Sequence, residues 1–351
     1  MKNKKIFLIG LIYFTAMVLV AIVFVLGAFG IIKNSMISSV LIQVVSIFAV
    51  PLLMYTLLVG KNPKQTFKDV GLNKIGKKVV AISILLGFVL YFINLFVADF
   101  FQSIIYMLGF ETVTLTKTVT ETGYLSLLKD LIFTCAFPAL FEEFLHRGIL
   151  LNAGKKYGNT RVALVVSSLL FGLMHLNINQ FFYAAILGFL MGNVVLASNS
   201  IIPSIIIHFI NNFLSTLVSY GSKLKWAPVV FVETITEVLM SNVFIFVLTL
   251  TVFVMMLFML YSFLLKLLIK ERAKKEVMQI IQGLHLENAP LSEWKEQFEK
   301  TDEILATSNQ TDFLVSKKKK VQLGFTDKLF YICSIVLGAT ITLSSFVWGI
   351  I

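Results

Sequence analysis

The stretch SLLKDLIFTCAFPALFEEFLHRGIL, residues 126–150, is long and apolar enough to cross a lipid bilayer as a single helix. Towards its end, the segment FEEFLHR places Glu142, Glu143, His146 and Arg147 within seven positions. An ionisable side chain at the centre of a membrane span costs about 2.5–3.5 kcal/mol on insertion scales. This concentration of ionisable groups therefore predicts a membrane-spanning helix that carries a functional site.

The whole chain has the composition of a helical membrane protein. Hydrophobic residues make up 58% of its 351 positions, compared with about 45–50% in soluble domains. They lie in long blocks, which predicts an all-α, polytopic membrane protein. The net charge of +11 comes largely from lysines between these blocks. Such lysines face anionic lipid and determine the membrane topology. We therefore expect them to interact with the lipid bilayer and not with nucleic acid.

About nine transmembrane helices are predicted, and the first apolar block is too long for a cleaved signal peptide. The lysine-rich connections all fall on one side if nine spans alternate. The positive-inside rule then places the N-terminus in the cytoplasm. The candidate spans are residues 6–30, 37–59, 79–108, 126–150, 161–176, 180–198, 201–220, 243–269 and 327–351.

The spans suggest four units along the chain. Residues 1–78 form an N-terminal transmembrane hairpin with a basic cytoplasmic loop, and residues 79–220 form an intramembrane core. Residues 221–270 hold an external segment, interpreted as a lid or an interfacial piece, and one further span. Residues 271–351 form a cytoplasmic tail and a last span. Within that tail, PLSEWKEQFEKTDEIL has helical spacing of apolar residues, which predicts an amphipathic helix that could recruit a protein partner.

Ionisable side chains, whose insertion into a membrane span costs free energy, lie mainly in the fourth to seventh spans. They are Glu142, Glu143, Arg147, His175 and His208. With a helical rise of 1.5 Å per residue, Glu142 and His175 each lie about 21 Å from a basic edge of their own span. His208 follows an uncharged turn that can lie within the membrane. The three spans can therefore bring these side chains to one level.

Helical spacing assigns different roles to the two glutamates. Glu143 and Arg147 are four residues apart, the spacing of a stabilising ion pair on one helix face. That pairing neutralises Glu143 and leaves Glu142 free to act as a general base. His208 and Asn212 have the same spacing, so that both can donate hydrogen bonds to one oxyanion.

Other chemistries fit the sequence less well. Glu143 and His146 form one Glu-x-x-His motif, but a di-iron bundle needs a second copy, and none occurs. No His-Glu-x-x-His zinc helix or Gly-x-Ser-x-Gly nucleophile elbow is present. His146, beside Arg147, is interpreted as an interfacial residue. A proton-coupled transporter remains an alternative, although the chain lacks the paired broken helices typical of that class.

Three motifs, Glu142-Glu143-x-x-x-Arg147, Phe171-x-x-x-His175 and His208-x-x-x-Asn212, occur in this order. Together they resemble the CPBP family of intramembrane proteases, which includes CAAX-processing endopeptidases of the Rce1 type and bacterial bacteriocin-processing or self-immunity proteins. The resemblance covers roughly residues 80–220.

The resemblance also implies roles for these residues. Glu142 would activate water, Glu143 and Arg147 would support it, and His175 would hold the water or a metal. His208 and Asn212 would bind the oxyanion, and Phe171 would pack behind His175. A Zn²⁺ ion held by Glu142, His175 and His208 and a metal-free glutamate mechanism both remain open.

The sequence therefore predicts a CPBP-type intramembrane (metallo)endopeptidase that hydrolyses a peptide bond of a membrane-associated or lipidated peptide or protein. The lysine-, isoleucine- and phenylalanine-rich composition is typical of a bacterial plasma-membrane protein, for which a pheromone, a bacteriocin leader or a membrane protein is the expected substrate. The alternative is a non-catalytic membrane scaffold or self-immunity protein of the same fold.

Overall fold

The computed structural model describes residues 2–60, 62–109, 123–240, 243–283 and 325–350, and in these ranges the chain is helical without strands. The predicted all-α, polytopic class is confirmed. The helices are α1 (Lys2–Ala28), α2 (Ser35–Gly60), α3 (Pro63–Asp69), α4 (Lys77–Met107), α5 (Tyr124–Tyr157), α6 (Thr160–Leu173), α7 (Ile178–Ser198), α8 (Ile202–Lys223), α9 (Ala227–Met240), α10 (Val243–Gly283) and α11 (Phe325–Ile350).

Within the described ranges, eight helices are long and apolar enough to cross a membrane, and the span predicted at 161–176 is the shorter helix α6. At 1.5 Å per residue, α6 is about 21 Å long, less than the roughly 30 Å of a hydrocarbon core. It runs antiparallel to α7, with Gly172 against Phe181 and Gly192 against Leu164. The two helices therefore form a hairpin.

The tip of this hairpin lies beside the far end of α4. Ile178, at the start of α7, packs with Ile105, two residues before α4 ends, and Phe182 stacks on Phe101 with ring centroids 4.4 Å apart. Despite its length, α6 thus carries the chain from one end of the bundle towards the other. The alternating order of the spans stays a prediction.

This order leads to a topology prediction. A reporter inserted at Thr118 and one fused after Lys300 are expected on opposite sides of the membrane, because α5, the α6–α7 hairpin, α8 and α10 separate them. By the positive-inside rule, the fusion after Lys300 is expected in the cytoplasm. Accessibility labelling that places both reporters on the same side would contradict the alternating order.

Asparagine side chains define several helix starts by accepting backbone N–H groups of the first turn. At the other end of α7, Asn199 adopts the left-handed conformation with φ 53°, which stops the helix before the short turn into α8. The capping residues are Asn34 for α2, Asn62 for α3, Asn159 for α6 and Asn177 for α7.

Two apolar cores flank the region of the predicted site. One combines α1, α2, α5 and α6, with residues of α11 packed against it. The other combines α4, α7, α8 and α10, and it includes Phe171 of α6. The segment Phe144–Ala153 of α5 is buried at every position. The charged part of FEEFLHR therefore lies inside the helical bundle.

Two of the spanning helices contain π-helical turns, in which the backbone bonds reach one residue further than in an α-helix. In α2 these turns cover Val40–Ala49 and Thr56–Gly60, and in α5 they cover Leu131–Ala136 and Phe144–Ala153. Such turns change the direction of neighbouring side chains and are frequent at functional sites.

A polar cluster around Asp69 joins α2, α3 and α5 at the lysine-rich end of the bundle. Lys156 and Gln65 each donate to Asp69 Oδ1 at 2.6 Å, and the Tyr55 hydroxyl donates to Oδ2 at 3.1 Å. Burial alone would raise the pKa of Asp69, but these three hydrogen bonds outweigh it and hold the pKa below its ordinary value. The cluster therefore holds an ionised carboxylate.

Some predictions concern chain segments outside the described residues. The predicted amphipathic helix at 290–305 lies there, and so do most of the cytoplasmic tail and the lysine-poor connection at 110–122. The external segment predicted at 221–242 contains α9. The four-unit division of the chain and the partner of the tail stay predictions.

Candidate active site

Two helices and one turn supply the predicted site residues. Helix α5 supplies Glu142, Glu143 and Arg147, and α8 supplies His208 and Asn212. His175 lies in the turn between α6 and α7, just after Phe171 and Leu173 at the end of α6. Their positions follow from the α6–α7 hairpin and from the packing of α8 against α5.

Glu143 is held by the ion pair that its spacing predicts. Arg147 Nη1 donates to Glu143 Oε1 at 2.8 Å, and the two side chains are 1% and 0% exposed. The second guanidinium nitrogen donates to the Gly188 carbonyl at 3.2 Å, and the guanidinium lies 4.3 Å from the ring centroid of Phe171. The ion pair, the hydrogen bond to Gly188 and the contact with Phe171 therefore offset the free-energy cost of burying the Arg147 charge.

His208 connects the two glutamates. Its Nδ1 lies 3.0 Å from Glu143 Oε1, and because a carboxylate only accepts hydrogen bonds, this nitrogen carries the proton. Its Nε2 lies 3.9 Å from Glu142 Oε2, beyond direct hydrogen-bond distance. Polar groups at this separation are commonly bridged by water, so one water molecule can contact both atoms.

Glu142 is the less constrained carboxylate. Its side chain is 11% exposed, and its described polar contacts are with Gln43, whose Nε2 donates to Oε1 at 2.7 Å, and with His208. No lysine or arginine forms an ion pair with Glu142 among the described residues. The two adjacent glutamates thus have different environments: Glu143 is paired with Arg147 in the interior, whereas Glu142 contacts Gln43 and faces His208.

His175 reaches the site beside the ring of Phe171. Its Nδ1 lies 2.9 Å from the Phe171 carbonyl, which can only accept, so Nδ1 carries the proton and Nε2 has the free lone pair. The Phe171 ring centroid lies 5.2 Å from the ring of His175 and 5.8 Å from that of His208, both nearly perpendicular. Phe171 therefore holds the two imidazoles apart around one aromatic ring.

The side-chain amide of Asn212 forms one hydrogen bond among the described residues. Its Nδ2 donates to the Thr134 carbonyl of α5 at 3.1 Å. An asparagine amide has two N–H groups, and a second donor remains for another acceptor. The shared oxyanion role of His208 and Asn212 stays a prediction.

The structure corrects the interpretation of His146 as an interfacial residue. Instead of lying at an interface it is 0% exposed, with its Nδ1 2.8 Å from the Glu142 carbonyl and its Nε2 3.4 Å from the Tyr13 hydroxyl. The Tyr13 hydroxyl also donates to the Leu170 carbonyl at 2.8 Å. His146 thus links α1, α5 and α6 immediately behind the glutamate pair.

The three possible zinc ligands predicted from the sequence are Glu142, His175 and His208. Among the described residues, no three side chains of histidine, cysteine, aspartate or glutamate come together in a way that could hold a metal ion. Glu142 and His208 approach each other, and the hydrogen bond from Nδ1 of His208 to Glu143 leaves Nε2 facing Glu142. A catalytic zinc site needs three protein ligands, and zinc binding by Glu142, His175 and His208 stays a prediction.

Residues 124–214 match the family described as Type II CAAX prenyl endopeptidase Rce1-like. This segment is similar to the Rce1-like family. The match confirms the resemblance read from the three motifs, and it lies inside the predicted core at 79–220 while covering well under half of the chain. Comparisons with the curated proteins and with the solved structures found no match. The apolar helices identify an integral membrane protein, and residues 124–214 are similar to the Rce1-like family.

Sequence reasoning missed two residues outside the Rce1-like segment that contact the site, Gln43 and Tyr13. Both are uncharged and lie in apolar spans, so a search for ionisable residues passes over them. The available signal was a polar side chain in the middle of a span, which usually forms a contact between helices.

Proposed function

We propose that this protein is an intramembrane endopeptidase that hydrolyses a peptide bond of a membrane-associated or lipidated peptide or protein. The observation that carries the proposal is the contrast between the adjacent glutamates. Glu143 is fully buried against Arg147 and His208, whereas Glu142 has no ion pair with lysine or arginine among the described residues and faces Nε2 of His208. This contrast suits a general base beside a fixed support.

The proposed reaction begins with a water molecule between Glu142 and His208. Glu142 removes one proton from this water, and the resulting hydroxide attacks the carbonyl carbon of the scissile bond. The carbonyl π electrons move onto oxygen, giving a tetrahedral oxyanion. Glu142 then passes its proton to the leaving nitrogen, so that the C–N bond breaks and a carboxylic acid and an amine are formed; the acid then gives its proton to the amine or to solvent and becomes a carboxylate.

The remaining residues position and stabilise these groups. His208, through Nε2, and Asn212 donate hydrogen bonds to the oxyanion, and Glu143 orients His208 through Nδ1. His175, which lies beside the ring of Phe171, helps to position the water. Arg147 balances the charge of Glu143 in the apolar interior.

We further propose that the water is activated without a metal, which the arrangement of His175, His208 and Glu142 supports. Chelators are therefore expected to leave the cleavage rate unchanged in a preparation whose metal content is measured alongside. Cleavage that is lost on chelation and restored by one equivalent of Zn²⁺ would contradict the metal-free mechanism. Loss of the same Zn²⁺ in His175→Ala and His208→Ala would identify its ligands.

The proposed setting is a bacterial plasma membrane with a cytoplasmic N-terminus, and the proposed substrate is a pheromone, a bacteriocin leader or a membrane protein. Comparative peptidomics tests this part. In cells lacking the gene, a membrane-bound precursor is expected to accumulate and its products to disappear, and the wild-type gene should reverse both changes. Unchanged precursor and product levels would favour the scaffold or self-immunity alternative.

A further inference from the structure

Gln43 is a direct neighbour of the proposed base although it lies outside residues 124–214. It belongs to a π-helical turn of α2, Val40–Ala49, and its Nε2 donates to Glu142 Oε1 at 2.7 Å. Apart from His208, no other described side chain makes a polar contact with the Glu142 carboxylate. A second helix of the bundle, α2, therefore takes part in holding that group.

The hydrogen bond fixes the orientation of the Gln43 amide. An ionised carboxylate only accepts hydrogen bonds, so the atom that faces Glu142 is the NH₂ group and the other end is the carbonyl oxygen. This Oε1 is buried and has no hydrogen-bond partner among the described residues. Leaving a buried acceptor without a donor is unfavourable, so a native structure that keeps one calls for an explanation.

Packing holds α2 in place independently of this hydrogen bond. Phe48, five residues after Gln43, stacks on Phe141 with ring centroids 4.7 Å apart and meets Phe144 edge-on at 5.1 Å. These two phenylalanines flank Glu142 and Glu143 in the sequence. The Gln43 amide is thus presented to Glu142 by an aromatic contact between α2 and α5.

We propose that Gln43 is a further catalytic residue, whose NH₂ group orients the Glu142 carboxylate and whose Oε1 accepts a hydrogen bond from the attacking water. This rests on the function proposed above. The water has two protons: Glu142 removes one, and the other is bonded to Gln43 Oε1. With both O–H directions fixed, a lone pair of the oxygen is directed at the scissile carbonyl carbon.

Both hydrogen bonds of Gln43 persist through the reaction, and the reaction requires no further reactant. When the O–H bond to Glu142 breaks and the new C–O bond forms, the second O–H bond and its hydrogen bond to Gln43 remain. The NH₂ group of Gln43 then lies beside the protonated Glu142, and Glu142 transfers its proton to the leaving nitrogen. Gln43 itself gains and loses no proton.

The test compares Gln43→Met with wild-type protein in proteoliposomes. Methionine keeps the length and volume of the side chain and removes both hydrogen-bonding groups. The probe is an internally quenched peptide ending in a farnesylated CAAX sequence, the substrate class in the description of the matched family. We expect kcat per folded molecule to fall by about 10²-fold, in line with the loss of a positioned polar group, with KM nearly unchanged.

Gln65→Met is the matched control. Gln65 also donates from Nε2 to a carboxylate, Asp69 Oδ1 at 2.6 Å, but in the polar cluster outside the site. Its kcat is expected to equal that of wild-type protein. If Gln43→Met does not fold, Gln43→Glu, which has nearly the same shape but lacks the NH₂ donor, is expected to show the same loss of kcat.

The outcomes separate this inference from the function on which it rests. A wild-type protein that cleaves the probe, with Gln43→Met at unchanged kcat, overturns the role of Gln43 alone. A Gln43→Met variant with lower folded yield but unchanged kcat per folded molecule would show that Gln43 stabilises the fold only. That result would also overturn its catalytic role. A wild-type protein that does not cleave the probe overturns the proposed activity on this substrate class, and the catalytic role of Gln43 falls with it.

Discussion

Glu142→Gln is expected to abolish cleavage while the protein still folds. The amide keeps the shape of the side chain, and its Oε1 can still accept the hydrogen bond from Gln43. It cannot remove a proton from water, so the turnover number should fall by at least about 10²–10⁴-fold, the contribution of a general base. The measurement is kcat of the purified variant in proteoliposomes, together with its yield and its thermal unfolding temperature.

Glu276→Gln provides the control for the substitution itself. Glu276 pairs with Arg272 on α10 at 2.7 Å, with side chains 41% and 29% exposed. Its neutralisation is expected to change neither cleavage nor unfolding temperature. Retention of wild-type turnover by Glu142→Gln would remove Glu142 from the mechanism and favour a non-catalytic role for the fold.

Arg147→Ala is expected to have the largest effect on stability. It leaves the fully buried Glu143 without its guanidinium partner, removes a donor from the Gly188 carbonyl, and ends the contact with Phe171. Breaking a buried ion pair from one side costs about 3–5 kcal/mol. Folded yield in membranes and unfolding temperature in detergent should both fall steeply.

Two further variants test the cause of this loss. Combining Arg147→Ala with Glu143→Gln should recover part of the stability, because no uncompensated buried charge remains. Lys274→Ala breaks the partly exposed pair with Glu271 and should cost only about 0–1 kcal/mol, as surface pairs do. If Arg147→Ala accumulates normally and keeps full activity, the ion pair does not have the role assigned to it.

Local geometry explains which parts of the site the sequence could predict. The pairing of Glu143 with Arg147 depends only on the spacing of residues along one helix, and the structure contains it at 2.8 Å. The proximity of His208 to both glutamates required only that the neighbouring spans meet at one depth, and helix rise gave a usable estimate of that depth. The membrane class followed from the length of the apolar blocks.

Tertiary packing decides the parts that the sequence could not predict. The burial of His146 depends on α1 placing Tyr13 beside it, and no spacing rule relates two residues so distant in the chain. The contact of Gln43 with Glu142 likewise depends on how α2 stacks on α5. The length of α6 was overestimated because apolar residues continue from Leu173 into the turn before α7, which the left-handed Leu176 and the Asn177 cap make non-helical.

Incorporation of oxygen from solvent water tests the central claim most directly. Wild-type protein in proteoliposomes is incubated with the farnesylated probe in H₂¹⁸O, and the products are identified by mass spectrometry. The proposed mechanism predicts cleavage at one peptide bond, with a single ¹⁸O atom in the new carboxylate and no product from Glu142→Gln. A wild-type product whose new carboxylate carries no ¹⁸O, or a labelled product formed equally well by Glu142→Gln, would contradict it.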